Sequence, residues 1–256
     1  MNDFTKISTT APKELDKQAT KEACQELKEK IQELQQRLYA QSKKSLLILF
    51  QGMDGSGKDG ATKQVLSGVN PQGVKVKSFK KPSTEELAHD FLWRIHLNVP
   101  EKGMIQVFNR SHYEDVLVTR VLGFTSDEEA KSRFANINAF ENLLEQSGTK
   151  ILKFFLHISI EKQRKTFIER LEDPEKHWKY NPEDWKTRES WDKYQKYYQD
   201  VFDSCNEVPW NIIPSDENWY KEFLIATKIY ETLSEMNLSY PHLPKELETE
   251  KAKYLK

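Results

Sequence analysis

The chain has 256 residues, with 39 basic side chains against 40 acidic ones and a formal net charge of −1. That length fits one large domain, or a domain with an appended module, and excludes a disulfide mini-protein. The balanced charge excludes the global basic field that would hold nucleic acid or an anionic membrane, so any anion site must be local.

In chain order, residues 1–12 lack periodicity and read as a frayed tail. From Lys13 to Tyr39 apolar residues recur every three or four positions amid charge, which predicts an amphipathic helix; tail and helix form an N-terminal region, 1–44. Ser45 to Phe50 follows as a continuous apolar run of strand length. It contains the longest strongly apolar stretch, Leu46 to Phe50, far short of the ~20 residues a bilayer crossing needs. Further strands are expected at Val74–Phe79, Met104–Phe108, Ile151–His157 and Trp210–Ile213. Helices are expected at Lys58–Val69, Thr84–Leu97, His112–Leu122, Ser126–Gln146, Ile160–Leu171, Glu183–Cys205 and Glu217–Met236. Strands alternating with helices predict an α/β domain with a parallel sheet over residues 45–240, followed by a tail, 241–256. Cys24 and Cys205 show no metal-binding spacing and suit a reducing compartment, so a soluble, cytoplasmic protein is expected.

Gly52-Met53-Asp54-Gly55-Ser56-Gly57-Lys58 fits G-x-x-x-x-G-K between a predicted strand and a predicted helix. Four of the nine glycines, Gly52, Gly55, Gly57 and Gly60, fall in these first turns. Glycine lets successive N–H groups face one anion, the helix start adds partial positive charge, and Lys58 adds a full one. The plainer alternative is an ordinary glycine-rich turn, which the scarcity of glycine elsewhere disfavours. Where such loops carry Ser or Thr after the lysine, this one has Asp59, either a helix-start residue or a metal contact. Asp54 inside the loop would repel a phosphate unless a metal lay between them, which makes it the first choice for a metal-binding or acceptor-positioning residue.

The third strand ends in Asn109-Arg110-Ser111-His112-Tyr113-Glu114-Asp115, and ligands of open α/β sheets gather at such strand ends. Arg110 reads as a phosphate contact, its alternative being a surface salt bridge with Glu114. Lys80, Lys81, Arg164 and Arg170 are placed to serve a polyanion, whereas Lys75, Lys77, Lys162 and Lys165 read as a solvated face. Residues 178–198 hold seven aromatics in 21 positions. Trp191, Tyr194 and Tyr198 read as a packing stripe, while Trp178 and Tyr180 are candidate base or lid contacts in a proline-bracketed loop.

These motifs, together with Arg170, Arg188, Pro209-Trp210 and Asn218-Trp219-Tyr220, resemble the polyphosphate kinase 2 family over about Ser45 to Leu233. The resemblance implies a thymidylate-kinase-like P-loop fold with a helical lid at about 172–190. It implies Mg²⁺-dependent phosphoryl transfer between inorganic polyphosphate and AMP or ADP, with GMP and GDP as further acceptors, in a homo-oligomer; the balanced charge adds the expectation of neither nucleic acid nor membrane as partner. By resemblance Asp54, Lys58, Arg110 and Arg170 are catalytic, and phosphate binding falls to Gly55, Gly57, Lys58, Asp59, Gly60, Lys80, Lys81, Arg170 and Arg188. Asp54, Arg110, Glu114 and Asp115 face the nucleotide, and Asp54 and Asp115 hold metal. Asn109 and Glu114, in place of Asp and Asn, resemble the subclass that takes both mono- and diphosphates. The competing readings are an ATP-dependent nucleotide or nucleoside kinase of the same fold and a non-catalytic polyanion-binding module.

Overall fold

The computed structural model describes residues 3–244 together with 247 and 250. Five strands, β1 (Ser45–Gln51), β2 (Val74–Ser78), β3 (Ile105–Asn109), β4 (Thr149–His157) and β5 (Trp210–Pro214), form one sheet in the order β2-β3-β1-β4-β5. All four pairings are parallel. The α-helices are α1 (Lys17–Gln41), α2 (Lys58–Val65), α3 (Thr84–Leu87), α4 (Trp93–His96), α5 (Val118–Val121), α6 (Asp127–Gln146), α7 (Ile160–Glu172), α8 (Glu183–Glu189), α9 (Trp191–Ser204) and α10 (Asn218–Glu235).

β1 runs through the centre with all seven residues buried, which is why it reads as unbroken hydrophobicity. Side chains alternate across it: Leu47 and Leu49 join a core with α6 and α9, while Leu46, Ile48 and Phe50 join one with α1, α2 and α10. β3 and β4 flank β1, so chain connections diverge at its carboxyl end, where α/β sheets open a crevice for ligands.

The expected fraying of the N-terminal segment is overturned for residues 3–12. Phe4 is fully buried and sits edge-on to Phe155 and Phe202, with ring centroids 5.3 and 5.0 Å away. Thr9 Oγ1 donates to Asp216 (2.8 Å), and the Ala11 N–H donates to Glu217 (2.8 Å). A lone aromatic in a polar segment has no period to read, yet burying it contributes ~1.5–3 kcal/mol.

Three predicted helices are broken. Thr84–Leu97 splits into α3 and α4, because Asp90 Oδ1 accepts from the Leu92 N–H and starts a new turn. His112–Leu122 is a 3₁₀ segment, His112–Val116, followed by α5. Glu183–Cys205 breaks at Ser190 into α8 and α9. The helix predicted over Lys58–Val69 ends at Val65. Most of the expected tail 241–256 lies outside the described residues. Among the described residues no helix is long and apolar enough to cross a membrane.

Candidate active site at the phosphate loop

β1 hands the chain to Gly52, whose φ of +147° and tight surroundings admit only glycine. A Cβ there would stand 2.8 Å from the Leu156 carbonyl oxygen and 2.9 Å from Ser56 Oγ. Gly57 (φ +84°) caps α2, and a Cβ on it would stand 2.6 Å from Lys221 Nζ. The Ala61 N–H closes onto the Gly57 carbonyl (2.9 Å), leaving the N–H groups of Lys58, Asp59 and Gly60 without helical acceptors at the cleft wall. Lys58 Nζ donates to the carbonyls of Gly52 (2.7 Å) and Met53 (3.3 Å), so the loop folds around its own cation. Burial pushes the Lys58 pKa down, against the opposing pull of the Asp54 carboxylate.

Arg110 follows β3 with φ +60°, a strained conformation for a residue bearing Cβ, and its N–H donates to the Phe50 carbonyl (3.0 Å). This left-handed turn carries the guanidinium across the sheet end to Asp54 Oδ1 (2.6 Å), rather than to the Glu114 partner that sequence spacing suggests. Burial would raise the Asp54 pKa, but the Lys58 and Arg110 charges outweigh it and hold the carboxyl below its usual value. Asn109 donates its side-chain amide to Asp59, tying the end of β3 to the first turn of α2.

The motif after Arg110 is held from beneath. Tyr113 Oη donates to Glu141 Oε1 (2.8 Å), His112 Nε2 lies 3.2 Å from the same oxygen, and Lys153 Nζ donates to Glu141 Oε2 (2.7 Å) and Tyr113 Oη (2.8 Å). All four side chains are buried and, His112 Nδ1 aside, their polar atoms answer one another. His112 and Tyr113 therefore anchor the segment that aims Arg110.

Two cavities meet at the Asp54–Arg110 pair. The larger, about 650 Å³, is lined by seven basic side chains, Lys58, Lys80, Arg110 and Arg170 among them, against five acidic ones. The smaller, about 180 Å³, is lined by Glu114, Tyr194 and Tyr198 and by the segment from Asn181 to Thr187. Glu114 accepts from Gln51 Nε2 (3.0 Å). Burial, reinforced by the Glu114 carboxylate, raises the phenol pKa of Tyr194 and Tyr198, so both remain neutral donors.

Most of the expected site residues converge on this cleft: Asp54, Gly55, Gly57, Lys58, Asp59, Gly60, Lys80, Arg110, Arg170 and, on the smaller side, Glu114. A Cβ on Gly60 would meet nothing, so no close approach requires glycine there. Arg170 Nη1 is held by Asp184 (2.7 Å), and Trp178, 77 % exposed, lines the larger cavity. Tyr180, Lys81 and Arg188 line neither cavity; Arg188 donates to the Ile160 carbonyl (2.7 Å) and Gln163 (3.2 Å), bracing α8 against α7. Asp115 also lies outside both, buried against Arg94 at 3.5 Å, with burial raising its pKa.

Lys221 was not anticipated. It is 2 % exposed, its Nζ contacts Asn218 Oδ1 (3.0 Å) and the Ser56 carbonyl (3.4 Å), and burial pushes its pKa down to about 8. The only trace in the sequence is its position one residue past Asn218-Trp219-Tyr220. Tyr194 and Tyr198 pack as expected, but they also wall the smaller cavity.

Among the described residues no group of three or more His, Cys, Asp or Glu side chains is arranged to hold a metal. Mg²⁺ bound through substrate phosphates needs only one or two carboxylates, and the ionised Asp54 beside the loop fits that demand. Asp115, which lines neither cavity, does not.

The family model for polyphosphate kinase 2 matches residues 14–241. The chain is 45 % identical to an AMP/ADP-polyphosphate phosphotransferase of Meiothermus ruber, over 88 % of this chain and 85 % of that one. It is 42 % identical to an ADP-polyphosphate phosphotransferase of Rhodopseudomonas palustris, over 83 % and 78 % of the two chains. The crystal structure of polyphosphate kinase 2 from Arthrobacter aurescens superposes with a TM-score of 0.91 at 38 % identity, covering 97 % of this chain and 90 % of that one.

Proposed function

The chain belongs to the polyphosphate kinase 2 family, and from that premise we propose that the two cavities are donor and acceptor sides of a polyphosphate-driven nucleotide kinase. The observation that carries this reading is the meeting of a large basic cleft and a small acidic, tyrosine-lined recess at one Asp54–Arg110 pair. Polyphosphate enters the basic side, where the free N–H groups of residues 58–60, Lys58, Arg170 and Lys80 take its terminal phosphates. Phosphate oxygens displace the loop carbonyls from Lys58 and Asp184 from Arg170.

A terminal phosphate oxygen of AMP or ADP, or of GMP or GDP, attacks the end phosphorus in line. The new P–O bond forms as the anhydride bond breaks, and polyphosphate leaves one unit shorter. Arg110, at the junction, neutralises charge on the transferring group, while Asp54 holds Arg110 and orients the acceptor. The attacking phosphate is already ionised near neutral pH, so no strong general base is required. Asp54, with substrate phosphates, would hold Mg²⁺, which supplies positive charge to the transferring oxygens.

The recess, at about 180 Å³, is smaller than the ~300 Å³ at which ligand pockets begin, so admitting a nucleotide requires the 181–187 wall to swing outward as a lid. Glu114 in this recess supports use of monophosphates as well as diphosphates. The buried free thiols Cys24 and Cys205 support a cytoplasmic location, and the net charge of −1 supports an enzyme that binds neither nucleic acid nor membrane. A homo-oligomer is the proposed assembly, which light scattering tests. Donor choice tests the function: ADP with polyphosphate and Mg²⁺ should yield ATP rapidly, and transfer to AMP from a nucleoside triphosphate but never from polyphosphate would defeat the reading.

A further inference from the structure

A third cavity, of about 530 Å³, lies between α1 and the start of α10. Lys17, Lys21 and Lys28 line one side, at spacings of four and seven that put all three on a single helix face about 16 Å long. Asn218 and Glu222 line this cavity and also the phosphate-loop cleft, so the two adjoin. Lys221, against the loop at Gly57, belongs to the same turn of α10. Lys17 and Lys21 are exposed, Lys28 is half-buried, and among the described residues none of the three closes an ion pair.

The cavity's two carboxylates, Glu217 and Glu222, offset only part of this charge, two against three lysines. Glu217 already accepts from the Ala11 N–H (2.8 Å) and Trp219 Nε1 (3.3 Å). Glu222, at the join, is half-buried; burial raises its pKa while Lys28, Lys221 and Lys21 pull it down. A row of cations leading away from the phosphate loop suits a linear anion of repeating charge, and a nucleotide tail of two or three phosphates would be spent inside the first cleft.

We propose that the lysine face of α1 is a distal site for the far stretch of a long polyphosphate chain whose end lies in the phosphate loop, an inference that rests on the polyphosphate reading of that cleft. Long chains then gain affinity that tripolyphosphate, too short to reach α1, does not.

The test compares kcat/KM for long polyphosphate and for tripolyphosphate, with ADP as acceptor, in the wild type and in K17Q/K21Q/K28Q. Three contacts of surface strength are together worth about tenfold, so the long-to-short ratio should fall about tenfold, with a shallower salt dependence of the long-chain KM. A second triple variant, K131Q/K193Q/K228Q, makes the same charge change elsewhere and should keep the wild-type ratio. An equal fall in both variants would show a general charge effect and overturn the distal site. A long-chain advantage that survives K17Q/K21Q/K28Q would overturn it too, leaving the cleft reading intact. A wild type inert with both donors would overturn the cleft reading and the distal site together.

Discussion

The two sides of the Asp54–Arg110 pair are built from different kinds of chain. The side proposed for the donor is mostly backbone and long cations: a glycine loop, the first turn of α2, and Lys58, Lys80, Arg170 and Lys221 arriving from four separate parts of the chain. The side proposed for the acceptor is short-range and shaped, with Glu114, Tyr194 and Tyr198 packed under the 181–187 segment. A polymer of identical phosphates needs charge without a precise outline, whereas a nucleotide must be told from other anions by a few fixed contacts. The difference teaches that donor and acceptor recognition should fail separately under mutation.

The pair at the junction lines both cavities, so on the proposed mechanism its loss should be the most damaging. Asp54→Asn is expected to lower kcat by roughly 10³-fold with either acceptor while circular dichroism and Tm stay close to wild type. Retained turnover would remove Asp54 from the mechanism.

Beneath the junction, Glu141→Ala strands the buried Lys153 cation and frees His112 and Tyr113. It should cost about 3–5 kcal/mol of stability in urea unfolding, and a cost below about 1 kcal/mol would show that the network does not hold the Arg110 segment.

Glu114→Asn sharpens the contrast from the acceptor side. Losing one charged hydrogen-bonding group is expected to reduce AMP use by at least roughly tenfold relative to ADP, with the KM for polyphosphate unmoved. Unchanged AMP use would separate Glu114 from subclass choice.

On the donor side the effect is smaller and depends on pH. Lys221 is charged below about pH 8 in the folded protein and neutral above it, so the KM for polyphosphate should climb a few-fold as pH rises through 8, and Lys221→Arg should flatten that climb. Folding stability moves the opposite way. Between pH 8 and 10.5 the unfolded chain binds the extra proton, so the Lys221 contribution to stability grows with pH across that window. A KM that is flat through pH 8 in the wild type would detach Lys221 from donor binding.

Legibility in the sequence follows the same division. The loop from Gly52 to Gly60 and the strands around it could be read because glycine spacing and apolar runs are local signals. What escaped depends on contacts between distant segments. Phe4 fills a gap between β4 and α9, and Lys221 reaches the loop from a helix 165 positions beyond Ser56. Arg110 swings to Asp54 through a positive φ that i,i+4 spacing does not foresee. Asp115 looked like a ligand beside Glu114, but the short 3₁₀ segment turns it inward to Arg94.

The central claim, a donor cleft for polyphosphate and an acceptor recess for a nucleotide meeting at one ion pair, is tested most directly by phosphorus NMR of the purified enzyme with Mg²⁺, AMP and long polyphosphate. The account predicts that nucleotide β- and γ-phosphate resonances grow, their sum matching the polyphosphate phosphorus consumed, with no orthophosphate released. An unchanged polyphosphate signal, or its loss to orthophosphate without nucleotide phosphorylation, would contradict it.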